Sequence, residues 1–232
     1  MPVQIAIDIG NTQAKVGVFN EHLYVDSYVI PSNEINEVLR QSDRPIILSS
    51  VGDDVAPELL GDHVHVLNHE TPLPIKIDYE TPHTLGVDRI ANSCGTLAHG
   101  DGNWLVIDAG SCITYDLVKN GTFIGGSITP GVQMRFKVMH NFTAKLPLTE
   151  LDGSNHFPSS STQGNLQSGV WEGIVGEMQR MIDLAETQIS NVNVILTGGD
   201  HTLFVKAMKS STFADPKLTL RGLNEILLYI SK

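Results

Sequence analysis

Two stretches of the chain carry the same arrangement of residues able to do chemistry. In LVIDAGSCITYDLV (105–118) an aspartate closes an apolar run and is followed by glycine and by small residues bearing hydroxyl or thiol groups. QIAIDIGNTQAKVGVFN (4–20) does almost the same near the amino terminus. An ungapped alignment sets Ile7 on Ile107, Asp8 on Asp108, Gly10 on Gly110, Val18 on Val118 and Asn20 on Asn120. Alone, each stretch could be ordinary turn chemistry, since Asp and Asn favour turns and glycine admits positive φ. Repeated, they supply two concave sets of backbone amides, which bind anions without a lysine-rich loop and so suit a polyphosphate. Their carboxylates would repel phosphate, so the arrangement implies a hard divalent cation held through water, as Mg²⁺ commonly is.

The elements around these turns repeat as well. Val3 to Ile7 and Lys15 to Phe19 read as strands joined by a turn at Gly10 and Asn11, with Leu23 to Val29 completing a meander. In SNEINEVLRQ (32–41), Ser32 is a capping residue ahead of Ile35, Val38 and Leu39 at helical spacing, and RPIILSSV (44–51) reads as a buried strand. DDVAPELLGD (53–62) reads as a short helix stopped at Gly61, and HVHVLN (63–68) as a strand. A helix from Gly86 to about Ala98 leads to a break at Gly100 and Gly102. From Trp104 the cycle restarts: a strand, a turn at Gly110, a strand over Thr114 to Val118, a turn at Asn120 and Gly121, and a third strand in TFIGGSI (122–128). His140 to Gly164 is polar and loop-rich. A long helix follows, its face marked by Val170, Ile174, Met178, Met181 and Ala185, and NVNVILTGGD (191–200) is a strand ending in glycines. The expected architecture is α/β, with duplicated lobes over 1–102 and 103–232.

Composition excludes several function classes. Fifteen basic residues against twenty-six acidic ones give a net charge of -11, which opposes non-specific binding to nucleic acid or anionic membranes. Apolar runs such as Ile46 to Leu48 and Val192 to Leu196 fall far short of the roughly 20 residues that cross a bilayer. Cys94 and Cys112 match no metal spacing, and the start of the chain lacks the pattern of a signal peptide, so a cytoplasmic location is expected. His63, His65 and His69 alternate as in a strand and supply no tetrahedral zinc set. Gly169, Gly173 and Gly176 on the long helix permit close packing, within a lobe or between two copies of the chain.

DIGNT (8–12), DAGSCIT (108–114), GGSITPG (125–131) and TGGD (197–200) resemble the phosphate and adenosine motifs of the superfamily of acetate and sugar kinases, heat-shock-70 chaperones and actin. With TLGVDR (84–89) between the first two, the chain resembles the type III pantothenate kinases. The resemblance implies two duplicated ribonuclease H-like lobes of the actin-like ATPase fold, with a nucleotide cleft between them. It also implies ATP-dependent phosphorylation of pantothenate, the first step of coenzyme A biosynthesis, by a homodimer using Mg²⁺ with ATP and activated by K⁺ or NH₄⁺. By the same resemblance Asp8, Ile9, Gly10, Asn11, Thr12, Gln13, Ala14, Lys15 and Ser111 bind ATP, with Asp8 also holding Mg²⁺ through water. Tyr79, Gly86, Val87, Asp88, Arg89 and Thr162 bind pantothenate, Asp88 as general base, and Asp108 binds the monovalent cation. Gly198 and Gly199 would let the backbone approach adenine or ribose. Cys112 stands where the family usually has alanine, and SSTQG around Thr162 departs from the usual asparagine-threonine pair. The alternatives are another kinase or a phosphohydrolase on the same scaffold, or a non-catalytic nucleotide-binding regulator.

Overall fold

β1 (Gln4–Ile9) alternates between two cores: Ile5, Ile7 and Ile9 enter one, and Ala6 the other. A period of two does this wherever both faces of a sheet are covered. The computed structural model describes residues 3–10, 13–50, 55–153, 156–208 and 212–232. The chain divides into two units, one of Met1–Asp101, Asn120–Ile124 and Lys217–Lys232, the other of Gly102–Lys119 and Gly125–Pro216.

In the first unit β1 pairs antiparallel with β2 (Gln13–Asn20), and β2 with β3 (Leu23–Pro31). α1 (Ile35–Arg40) buries Ile35 and Leu39 against the odd face of β1. β4 (Ile46–Ser50) then lies parallel to β1 and β5 (Val64–Val66) parallel to β4, giving the order β3-β2-β1-β4-β5. β6 (Lys76–Ile77) follows, and then α2 (Val87–Gly95), which buries Ile90, Ala91 and Cys94 on the side of Ala6. Two expectations are corrected here. Of the helix expected over 53–62, residues 55–62 form only a single 3₁₀ turn, Pro57–Leu59, and 53–54 lie outside the described residues. The helix expected from Gly86 is capped there instead, and it gives way to a 3₁₀ turn, Thr96–His99, before Gly100 and Gly102, both at positive φ.

The second unit repeats the plan. β7 (Asn103–Ala109) and β8 (Cys112–Lys119) form an antiparallel pair with β9 (Thr122–Pro130) beyond it, and the first residues of β9, Thr122 and Phe123, pair with β6 in the first unit's set. α3 (Val132–Asn141) and α4 (Thr162–Gln188) follow, and then β10 (Val192–Thr197), α5 (His201–Phe204) and β11 (Thr212–Ala214). β10 is parallel to both β7 and β11, so β9-β8-β7-β10-β11 reproduces the order of the first sheet. Val170, Ile174, Met178, Ile182 and Ala185 of α4 are buried against Leu105, Ile107, Tyr115 and Leu196. α4 starts where the Ser161 hydroxyl accepts from the Gly164 N–H at 3.1 Å, and Ile174 is fully buried at its middle, so Ile174→Ala would destabilise by about 2–5 kcal/mol. The chain ends in α6 (Leu218–Ile230), which buries Leu220, Leu223, Ile226 and Leu227 with α2 in the first unit.

The two hairpins differ in length, which corrects the ungapped alignment. Ile9 pairs with Ala14, leaving four residues in the first turn, whereas Ala109 pairs with Ile113, leaving three. Ile5 faces Val18 while Leu105 faces Leu117, so Val18 corresponds to Leu117, and Asn20 to Lys119, one position before the residues that the alignment offers.

Candidate active site

On the even face of β1, Asp8 stands at the strand's end, opposite Lys15 of β2 and Ser49 of β4. The Ser49 hydroxyl donates to Asp8 Oδ1 at 3.0 Å. Burial pushes the Asp8 carboxyl above the usual carboxylate range; Lys15 and Ser49 pull it down, and the charge of Asp88 pushes it up again. Burial raises a carboxyl because the low-dielectric interior disfavours the charged form. In the turn beyond, Gly10 N–H donates to the Gln13 carbonyl at 3.0 Å, and the Ser32 hydroxyl donates to the Gly10 carbonyl at 2.8 Å. Ser32 is therefore a clamp on the turn, not the helix cap expected: it makes no side-chain cap bond, and it opens a 3₁₀ turn, Ser32–Glu34, ahead of α1. Ile9 and Ala14 are core side chains, so only their main chain is available to a ligand; Gln13 is exposed and Lys15 half-buried. Asn11 and Thr12 lie outside the described residues.

Asp88 sits in the first turn of α2, whose N-cap is Gly86. The helix dipole favours a carboxylate there. α2 covers the face of β1 to which Asp8 belongs, and this brings the charge of Asp88 to bear on Asp8. A Cβ at Gly86 would run into Asp88 Oδ1, so the glycine makes room for the carboxylate. Val87 packs half-buried on the same core. Arg89 is buried, its guanidinium carbon 5.6 Å from the centre of the Phe123 ring, and Tyr79 meets that ring edge-on at 5.7 Å. Phe123 thus joins Arg89 to Tyr79 through a cation–π and an aromatic contact. Beside this cluster, His69 Nε2 lies 2.8 Å from the Leu85 carbonyl, while His65 Nε2 lies 2.9 Å from the Thr71 hydroxyl.

In the second unit Leu105, Ile107 and Ala109 enter the core, leaving Asp108 on the opposite face, across from Thr114 of β8 and Thr197 of β10. The register therefore matches Asp8, Lys15 and Ser49 with Asp108, Thr114 and Thr197: a hydroxyl stands where the first unit has an ammonium. Gly110 N–H donates to the Cys112 carbonyl at 3.0 Å, and Ser111 and Cys112 are exposed. Gly198 has φ +91°, and a Cβ there would collide with the Ala109 carbonyl oxygen and Asp108 Oδ1. Asp200 N–H donates to the Ala109 carbonyl at 2.8 Å, and burial raises the Asp200 carboxyl. Thr162 is the exposed first residue of α4.

Among the described residues no three His, Cys, Asp or Glu side chains gather to hold an ion. The Asp8 carboxylate, with Ser49 on one oxygen, is a hard oxygen donor of the kind Mg²⁺ takes beside substrate phosphates and water. Ser32, Ser49, Thr197 and Phe123 were missed as site residues. Ser49 and Thr197 carry the same signature that marks the aspartates, a polar residue closing an apolar run.

The paired turns on two sheets of one order are those of the actin-like ATPase fold. A structure described as a putative Baf family transcriptional activator from Campylobacter jejuni superimposes with a TM-score of 0.66 at 24% identity, over 98% of each chain. A putative N-acetylmannosamine kinase from Listeria monocytogenes does so with a TM-score of 0.57 at 13% identity, over 99% of this chain and 100% of that one. At these identities the likeness is one of fold. Residues 4–184 match the family model of type III pantothenate kinase. A type III pantothenate kinase of Cytophaga hutchinsonii is 40% identical over 238 residues, 98% of this chain and 99% of that protein. The chain belongs to the type III pantothenate kinase family.

Proposed function

We propose that the chain transfers the γ-phosphoryl group of ATP to the primary hydroxyl of pantothenate, giving 4′-phosphopantothenate in the first step of coenzyme A biosynthesis, with Asp88 as general base. The strongest support is that α2, which carries Asp88 of the TLGVDR segment in its first turn, covers the same face of β1 that carries Asp8 of the phosphate turn. Asp88 accepts the alcohol proton as the oxygen attacks the γ-phosphorus in line. Such transfer depends chiefly on positioning and charge neutralisation, so the phosphate-binding turns matter more than a strong base. Asp8, Ile9, Gly10, Asn11, Thr12, Gln13, Ala14 and Lys15 line the phosphates, Ile9 and Ala14 through their main chain, and Ser111 contacts ATP. Mg²⁺, held through water by Asp8, would supply charge neutralisation at the phosphates. Arg89 pairs with the pantothenate carboxylate or hydroxyls, with Tyr79, Gly86, Val87 and Thr162 completing that pocket.

Asp108 holds the monovalent cation, K⁺ or NH₄⁺. The register supports this, because Thr114 replaces the ammonium that faces Asp8, and an added cation there relieves repulsion of the nucleotide. Gly198 and Gly199 approach the nucleoside. The enzyme works in the cytoplasm as a homodimer, and among the described residues no helix is long and apolar enough to cross a membrane. A coupled ADP-release assay tests the reading: release should require pantothenate, Mg²⁺ and K⁺ together. Phosphate release without an acceptor would indicate a hydrolase instead, and equal rates in Na⁺ would remove the role of Asp108.

A further inference from the structure

Glu177 lies in the middle of α4, away from every motif in the sequence, yet it is the hub of a polar network in the second unit. Its Oε1 accepts from the Tyr115 hydroxyl and the Thr129 hydroxyl, both at 2.7 Å, and its Oε2 from Arg135 Nη2 at 2.7 Å. Burial alone would raise this carboxyl, but the bonds from Thr129, Tyr115 and Arg135 and the charge of Arg135 outweigh it and hold Glu177 below the usual range. Arg135 is tied in turn to the segment after β9: its Nε donates to the Pro130 carbonyl at 2.9 Å and its backbone N–H to the Gly131 carbonyl at 3.0 Å. Gly131 N–H donates to the Ser111 carbonyl at 3.0 Å. A Cβ on Gly131 would strike the carbonyl oxygens of Gly110 and Ser111, so the two backbones are in direct contact.

We propose that Glu177 is a positioning residue for the Gly110–Ser111 turn, acting through Thr129, Arg135 and the Pro130–Gly131 backbone. This rests on the reading of Ser111 as an ATP contact. A carboxylate satisfied on both oxygens fixes its donors more tightly than a neutral group does. The segment it fixes is the platform on which the Ser111 carbonyl rests. The hydrogen bonds of the network run to the Gly110–Ser111 turn, so its loss should be felt by ATP and not by pantothenate.

The test is a double-mutant cycle between Glu177→Gln and Ser111→Ala, read as KM for each substrate. Gln keeps an oxygen for Tyr115 and Thr129 but turns an amide N–H₂ toward Arg135, a donor against a donor. Each single variant should raise the KM for ATP about tenfold, the loss of one hydrogen bond of ordinary strength, with the KM for pantothenate unchanged. The double variant should be no worse than either single, because Ser111 is already displaced once Glu177 is gone. Additive defects, or an unchanged ATP KM in Glu177→Gln, would overturn the positioning role while leaving Ser111 in place. An unchanged ATP KM in Ser111→Ala would remove the ATP contact itself, and this inference with it. Should Glu177→Gln prove insoluble, Thr129→Val cuts one link, leaves the Glu177–Arg135 pair intact, and must show the same pattern.

Discussion

Gly198 and Gly199 are sequence neighbours with opposite tolerance for a side chain. Gly198 has φ +91°, and a Cβ there would meet the Ala109 carbonyl oxygen, the Ala109 carbonyl carbon at 2.6 Å and Asp108 Oδ1. Gly199 has nothing within 4 Å of its Cβ position. An L residue in the left-handed region costs about 1–2 kcal/mol, and forcing a methyl against fixed backbone about 1–3 kcal/mol more. Gly198→Ala should therefore destabilise by about 2–5 kcal/mol, a fall of about 5–15 °C in Tm for a chain of this size. Gly199→Ala should be neutral or stabilise by up to about 1 kcal/mol, through the unfolded chain. Scanning calorimetry of the two variants side by side checks this. Gly198→Ala should also blunt activation by K⁺, since the methyl displaces the Asp108 carboxylate. Equal Tm values for the two variants would refute the reasoning.

Gly86→Ala separates position from stability: its φ of -54° and ψ of 134° suit alanine, but the methyl pushes Asp88 Oδ1 aside. Thermal melts should be unchanged while kcat falls by about 10²-fold, the penalty of a misplaced reacting group. Asp8→Asn should raise Tm at neutral pH and weaken Mg-ATP binding. The native carboxyl is raised above its ordinary 3.8, so the folded state holds its proton more tightly and its ionised form opposes folding above that native value. Glu177 has the opposite sign: its carboxyl is depressed, so it contributes stability above its ordinary 4.5 and loses it as pH falls through the lower native value. The stability gap between wild type and Glu177→Gln, from urea melts, should be full at neutral pH and close as the solution is acidified below that range.

The sequence discloses the features that repeat. Both meanders, the β4 and β10 strands and the α4 face are legible because each has a clean period bounded by turn residues. α3 is hidden because exposed Met134 and Val138 blur the stripe made by Val132 and Phe136. α6 interrupts its apolar residues with Thr219, Arg221, Asn224 and Glu225, and its partners α2 and β1 lie far back in the chain. At two residues β6 falls below any pattern. For the candidate site, the aspartates announce themselves at strand ends, whereas Ser49 and Thr197 gain meaning only from parallel register with them. Ser32 reads locally as a cap because its real partner, the Gly10 carbonyl, is 22 residues away in the chain. The missing residue in the second hairpin is invisible to an alignment that matches the first half so well.

The proton acceptor is the point on which the account turns, and single-turnover phosphoryl transfer by Asp88→Asn tests it directly when ATP binding is measured in parallel. Transfer should slow by about 10²–10⁴-fold with ATP affinity nearly unchanged. Transfer within about threefold of the wild-type rate, less than 1 kcal/mol of barrier, would contradict it.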